Sequence, residues 1–212
     1  MKSGPERYFC DLTLDPNTVH RNLCLSEENR KVTWSKEKQP YPNHPERFEI
    51  WLYEQVLCRE GLTGRCYWEV EWRGVGAKIA VTYKGIKRTG IAGIDGFGGI
   101  DGFGGIGGVL RQRRGRGDDC RFGYNDKSWS LNCYENSYSV CHNSNKTVIP
   151  VTSSGSHRVG VYLDWSAGTL SFYKASSDIL THLYTFNTEF TEPLYPGFRV
   201  FNDTSVSLCQ LV

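Results

Sequence analysis

The groups in this chain that could do chemistry are scattered. Its eight cysteines are Cys10, Cys24, Cys58, Cys66, Cys120, Cys133, Cys141 and Cys209. Thiols can ligate zinc, pair as disulfides or act as nucleophiles. No two of them form a C-x-x-C, and no cysteine–histidine group has zinc-finger spacing. Cys58/Cys66 and Cys133/Cys141 each stand eight residues apart, too loose for a metal site. An even count suits a disulfide framework in a secreted chain. The opening residues MKSGPERYFCDLTLD hold no apolar run of signal-peptide length. The expectation is therefore buried free thiols in a reducing compartment, and a cytoplasmic protein. Two Asn-x-Thr sequons, at Asn145 and Asn202, would matter only in a secreted product.

Other candidate groups fare no better. Gly102-Phe103-Gly104 has the spacing of a phosphate loop. No Gly-Lys-Ser/Thr ends that tract, and no helical pattern follows to supply an amide-lined N-terminus. Arg111, Arg113, Arg114 and Arg116 resemble RG-rich segments that hold RNA phosphates. They also suit a charged loop that keeps a glycine tract soluble, and the net charge of +2 marks no basic protein. Asp118-Asp119 are adjacent carboxylates without a distant partner, and read as loop charge balance. The five histidines are dispersed, and no G-x-S-x-G elbow occurs. The expectation is no catalytic residue, no metal, no cofactor and no nucleic-acid partner.

The elements that carry these residues are strands. Aromatics make up 13% of the 212 residues, a bias that suits pleated, half-buried surfaces. Tyr67 to Trp72 alternates Trp68, Val70 and Trp72 with Glu69 and Glu71, the period of a half-buried antiparallel strand. Arg158 to Leu163 alternates likewise. Leu170 to Tyr173 follows the small-residue turn Ser166-Ala167-Gly168, so the two runs read as a hairpin. Further strands are expected at Tyr8 to Leu14, Lys31 to Trp34, Lys78 to Tyr83, Trp129 to Tyr134, Leu180 to Phe186 and Ser205 to Leu211. Helical periodicity is poor; Asn17 to Leu25 holds at most one short turn after Asp15-Pro16. Residues 93–98 and 99–104 are tandem copies of GIDGFG. We read 88–117 as a flexible Gly/Arg-rich insert between two strands. No run of 18 apolar residues occurs, so no membrane span is expected. The fold class expected is an all-β, antiparallel sandwich.

The ordered motifs resemble the PRY-SPRY family. Leu14-Asp15-Pro16-Asn17-Thr18, Leu23 to Asn29, Glu46-Arg47-Phe48 and Val56-Leu57 are similar to the PRY segment. Gly64 to Glu71, Ser128 to Leu131, Gly160 to Trp165, Gly168 to Tyr173 and Leu194 to Phe198 match the SPRY signatures in order. The departures are Cys58 where a glycine is usual, Trp165 for a tyrosine, and Ile79-Ala80-Val81 in place of a Gly-Val pair. The resemblance implies a bent sandwich with PRY at 8–58 and SPRY at 59–212, fused as one domain.

It also implies function. Such domains are non-enzymatic modules that bind proteins through loops, in innate immunity or ubiquitin-linked recognition. They end tripartite-motif ligases, butyrophilins, fish immune receptors and stonefish-type pore-forming toxins, and this wording is similar to the fish versions. The zinc-binding RING pattern of the ligases is absent, so ligase activity is not expected. The ligand surface carried over is Trp51 and Tyr53, Asn132 and Tyr134, and Phe201. Large rigid rings are typical interface anchors; the competing reading is that they cap the core. Trp68, Val70, Leu163 and Phe172 are expected to be core. The expected partner is a protein ligand, with the isolated domain monomeric. Two alternatives stand: a detached C-terminal domain of a toxin or receptor, and RNA binding through the arginine-rich loop.

Overall fold

A computed structural model describes residues 4–89, 117–150 and 156–211. The GIDGFG copies and the Arg111–Arg116 cluster lie outside the described residues.

Thirteen strands occur among the described residues. They are β1 (Leu23–Ser26), β2 (Lys31–Trp34), β3 (Gln55–Leu57), β4 (Arg65–Arg73), β5 (Gly76–Tyr83), β6 (Ser128–Tyr134), β7 (Ser137–His142), β8 (Asn145–Ile149), β9 (Arg158–Asp164), β10 (Thr169–Ser176), β11 (Ile179–Asn187), β12 (Leu194–Val200) and β13 (Ser205–Leu208). Two antiparallel sheets form. One runs β1-β2-β13-β4-β9-β10-β11 and the other β3-β12-β5-β6-β7-β8. The alternating runs behave as their period requires. Trp68, Val70 and Trp72 face Trp129, Leu131 and Cys133 within one buried cluster, joined by Val159, Val161, Leu163 and Phe172. The expected hairpin is β9–β10, in register Leu163↔Leu170. No helix among the described residues is long and apolar enough to cross a membrane.

Two expectations need correction. Tyr8 to Leu14 is not a strand: Gly4–Tyr8 is a 3-10 helix, and only isolated bridges follow, Phe9 to Tyr67 and Leu14 to Cys58. That segment is held piecemeal, with Thr13 N–H and Oγ1 donating to the Glu60 carboxylate. Asn17 to Leu25 holds a short turn at 16–18, closed by Thr18 N–H donating to Asp15 O at 3.0 Å, and a second turn at 21–22 precedes β1. The cysteines are not all free either. Cys10 and Cys66 form a disulfide, with Cα atoms 5.5 Å apart. The cause lies in the backbone: Phe9 bridges Tyr67, and Cys10 N–H donates to Tyr67 O at 2.9 Å. The other six are free thiols. Burial pushes the Cys58 thiol well up from its ordinary value.

Strands from the two ends of the chain interleave. β2 lies between β1 and β13, and β3 pairs with β12 in register Val56↔Phe198. The first sixty residues thus contribute a strand edge to each sheet.

Candidate binding surface

The outer face of the six-stranded sheet carries one continuous cross-strand row. Gln55 pairs Arg199, Arg199 pairs Lys78, Lys78 pairs Asn132, Asn132 pairs Ser139, and Ser139 pairs Val148. Every member points away from the core because its strand neighbours point in. A segment from Gly117 to Asn125 lies over part of this face. The Gln55 amide fastens it as a backbone peptide would: Nε2 donates to Cys120 O at 2.7 Å, and Oε1 accepts from Phe122 N–H at 3.1 Å. Lys78 Nζ donates to Phe122 O at 3.0 Å. Gly123, at φ 86, sits so close that a Cβ would meet Ser130 Oγ at 2.3 Å. Only glycine meets both demands. The Phe122 ring is thereby sunk among Phe48, Leu57, Ala80 and Ile86.

Beside that seal, cations and rings alternate. The Arg121 guanidinium lies 3.5 Å from the Tyr124 ring centre and 5.1 Å from that of Tyr53. Arg199 lies 4.9 Å from the Tyr53 centre and 4.6 Å from that of Phe201. Lys78 Nζ lies 4.9 Å from Tyr124. Ring quadrupoles attract such cations, more strongly where water is excluded. Lys78 is 2% exposed. Its burial, with Arg121 and Arg199 nearby, pulls its pKa down to about 7. Burial first, then Arg121, also lowers Arg199. Arg199 Nη2 donates to Leu52 O at 2.6 Å. Leu52 is left-handed at φ 75, a conformation that costs a side-chain-bearing residue about 1 kcal/mol. The bond from Arg199 holds that bend, which leaves Trp51 77% and Leu52 60% exposed.

The residues expected at the surface part company here. Tyr53, Tyr134 and Phe201 converge. Tyr134 stacks on Phe201 with ring centres 6.1 Å apart and is 43% exposed. Tyr53 joins them through Arg199. Trp51 instead borders a separate shallow hollow with His20, Arg21, Asn22, Lys38 and Glu49. Asn132 is only 6% exposed, and its amide is spent on Ser139 Oγ at 3.1 Å. It is a floor residue between Lys78 and Ser139 and offers a ligand little. The family resemblance named it as a ligand residue but could not show that its neighbours cover it. Arg121, Arg199, Lys78 and Tyr124 were not foreseen. The outward position of Lys78 follows from strand parity, whereas Arg199 lies on β12, which shows no strand pattern in the sequence. Nothing in the sequence marks Arg121.

The Tyr134 ring lies flat over β5 because Gly76 beneath it has no side chain. A Cβ there would meet Cys133 O at 2.5 Å and the Tyr134 ring at 2.9 Å. Gly76→Ala is expected to lift the ring and break its stacking. Loss of the ring-current shifts at Phe201 in a proton spectrum, with the fold retained, checks this. No cluster of three or more acidic, cysteine or histidine side chains that could hold a metal occurs among the described residues.

Comparison with known proteins bears on this geometry. The family model for the SPRY-associated domain matches residues 12–62, and that for the SPRY domain matches 65–210. Stonustoxin subunit beta of Synanceia horrida is 43% identical over 195 residues, covering 91% of this chain and 24% of its own length. Tripartite motif-containing protein 16 of Mus musculus is 35% identical over 197 residues, covering 91% of this chain and 30% of its own. The chain thus spans about a quarter of the toxin subunits it matches. Among solved structures, that of stonustoxin superimposes with a TM-score of 0.76 at 35% identity, over 95% of this chain and 29% of its own. The TRIM65 PSpry domain does so at 0.75 and 25% identity, over 100% of this chain and 99% of its own.

Proposed function

This chain belongs to the PRY-SPRY family, and from that premise we propose that it is a protein-binding module whose ligand rests on the outer face of the six-stranded sheet, around Tyr134, Phe201 and Tyr53. One observation carries the reading. A large ring, Tyr134, stays 43% exposed although it is stacked on Phe201 and seated over Gly76. A ring that merely capped the core would be buried. Held rigid and open, it offers contact area at small entropic cost. The Trp51-Leu52 bend, tied to Arg199, keeps further apolar area exposed on the domain. The role is recognition, with no catalysis assigned.

Tyr134→Ala and Phe201→Ala test the site. Each should weaken capture of a partner obtained by pull-down about tenfold or more, while the melting temperature moves little. Unchanged affinity in both variants removes the site from the reading.

A second reading is favoured by the coverage of the relatives. The same module would serve as the recognition part of a longer chain of toxin or tripartite-motif type, its PRY (8–58) and SPRY (59–212) parts acting as one unit. Sequencing the transcript upstream of Met1 tests this; an in-frame stop directly upstream is the result against it.

A further inference from the structure

The part-buried arginines on this face are answered unlike the other arginines that pack against the domain. Arg21, Arg30, Arg65, Arg73 and Arg158 each meet a carboxylate within 3.6 Å. Arg47 and Arg88 have no carboxylate, yet both spend their guanidinium on backbone carbonyls, such as Val19 O at 2.8 Å and Lys84 O at 2.9 Å. Arg121 does neither. Among the described residues it forms no ion pair and no side-chain hydrogen bond, and its buried Nε has no partner. Arg199 has one bond, to Leu52 O, and its buried Nε is likewise unmet. Lys78, whose pKa is pulled down to about 7, adds a third basic group, answered by one carbonyl. Glu54 is the carboxylate that favours the charged Arg199, and it makes no ion pair with it.

Holding like charges together, part buried and with no carboxylate in ion-pair contact among the described residues, costs free energy that an arriving anion would relieve. Both arginines are part exposed, so an anion can reach them. A guanidinium grips carboxylate or phosphate through paired N–H bonds, and the carboxylate is the anion that ordinary residues of a protein ligand supply. We propose that the site takes an acidic peptide segment, with an aspartate or glutamate carboxylate seated against Arg199 and Arg121 beside the Tyr134–Phe201 pair. This rests on the reading that the face binds protein, and names the chemistry of what it binds. A nucleic acid fits less well. The guanidinium groups already occupy faces of Tyr53 and Tyr124, which leaves Tyr134 as the open stacking ring. The three cations also form one cradle, where a nucleic-acid strand needs a track of phosphate contacts.

The test uses the full chain and four fluorescent probes read by anisotropy. Three are decapeptide pools, randomised except for three fixed acidic, neutral or basic positions; the fourth is a uridine oligonucleotide. The acidic pool should bind about tenfold or more tighter than the neutral and basic pools. The Arg121→Gln/Arg199→Gln double variant, shown folded by circular dichroism, should erase that preference. Tyr134→Ala should weaken acidic and neutral pools alike. Equal binding of the three pools, unaltered in the double variant yet weakened by Tyr134→Ala, overturns the acidic assignment and leaves the binding face standing. Binding indifferent to Tyr134→Ala and Phe201→Ala overturns the face itself. Binding of the oligonucleotide alone, lost in the double variant, makes the ligand a nucleic acid and also overturns the proposal. So does failure of the acidic pool to bind. If the double variant fails to fold, Arg199→Lys and Arg121→Lys replace it: they keep the charge but lose the fork, and should lower acidic-pool affinity.

Discussion

Gln55→Leu should destabilise the domain by about 2–6 kcal/mol, because it strands two buried backbone groups at about 1–3 kcal/mol each. The leucine fills similar space, so the loss isolates the hydrogen bonds. Cys120 O and Phe122 N–H face inward from the covering segment, and their bonds to Gln55 are buried, where water cannot replace the amide. The effect should spread. Phe122 is the centre of the small cluster with Phe48, Leu57, Ala80 and Ile86, and Arg121 is its chain neighbour. A variant that keeps its fold should therefore lose order around Tyr53 and Tyr124 first. Chemical denaturation gives the stability change, and amide exchange of residues 118–125 shows where it acts. A loss below about 1 kcal/mol, within the worth of one ordinary hydrogen bond, would mean that the apolar contacts and the Lys78 bond hold the segment without Gln55.

The second large effect concerns pH. Lys78 has a folded pKa of about 7, lowered from 10.5 by burial and by Arg121 and Arg199. Lys146 opposes its charge as well, while Cys141 favours it and the Tyr124 ring faces it. The unfolded chain therefore binds a proton that the folded chain has lost, throughout the interval between those two values. Stability from this group rises with pH across that interval, by up to about 1.4 kcal/mol per unit, and is absent below pH 7. Lys78→Met removes the dependence. It also leaves Phe122 O without its donor, which offsets part of the gain. The stability of wild type relative to Lys78→Met should thus improve by about 2 kcal/mol between pH 6.5 and 8.5. Thiols and phenols common to both proteins cancel in the difference. Urea titrations at the two pH values check it, and a difference independent of pH would place the lysine in contact with water.

What was readable beforehand follows from which strand faces pack on the opposite sheet. β4 and β9 alternate because each packs one face on the opposite sheet, and that period survives in the sequence. β12 was invisible as a strand: Pro196-Gly197 reads as a turn signal. Yet it lies between β3 and β5, and Gly197 is there because Leu57 and Phe122 would meet a Cβ at 2.8 and 2.9 Å. β8 hides for the opposite reason: an edge strand with four exposed residues has no apolar period to show. Tyr8 to Leu14 misled because its apolar residues are satisfied by a disulfide, two bridges and Glu60 instead of by a ladder. At the site, Tyr53, Tyr134 and Phe201 could be named from the family motifs. The cations between them could not, since Arg121, Arg199 and Lys78 meet only through register and the path of the covering segment.

The interleaving of early and late strands sets an order of events during synthesis. β2 has β13 as its inner neighbour, and β3 has β12. Neither sheet can close until residues near 200 have left the ribosome. Until then the apolar faces of β4, β5 and β9 are on display to whatever shares the compartment, and β12 and β13 act as the latch. A ribosome that stalls after β11 leaves a chain with almost its whole core made and no way to hide it.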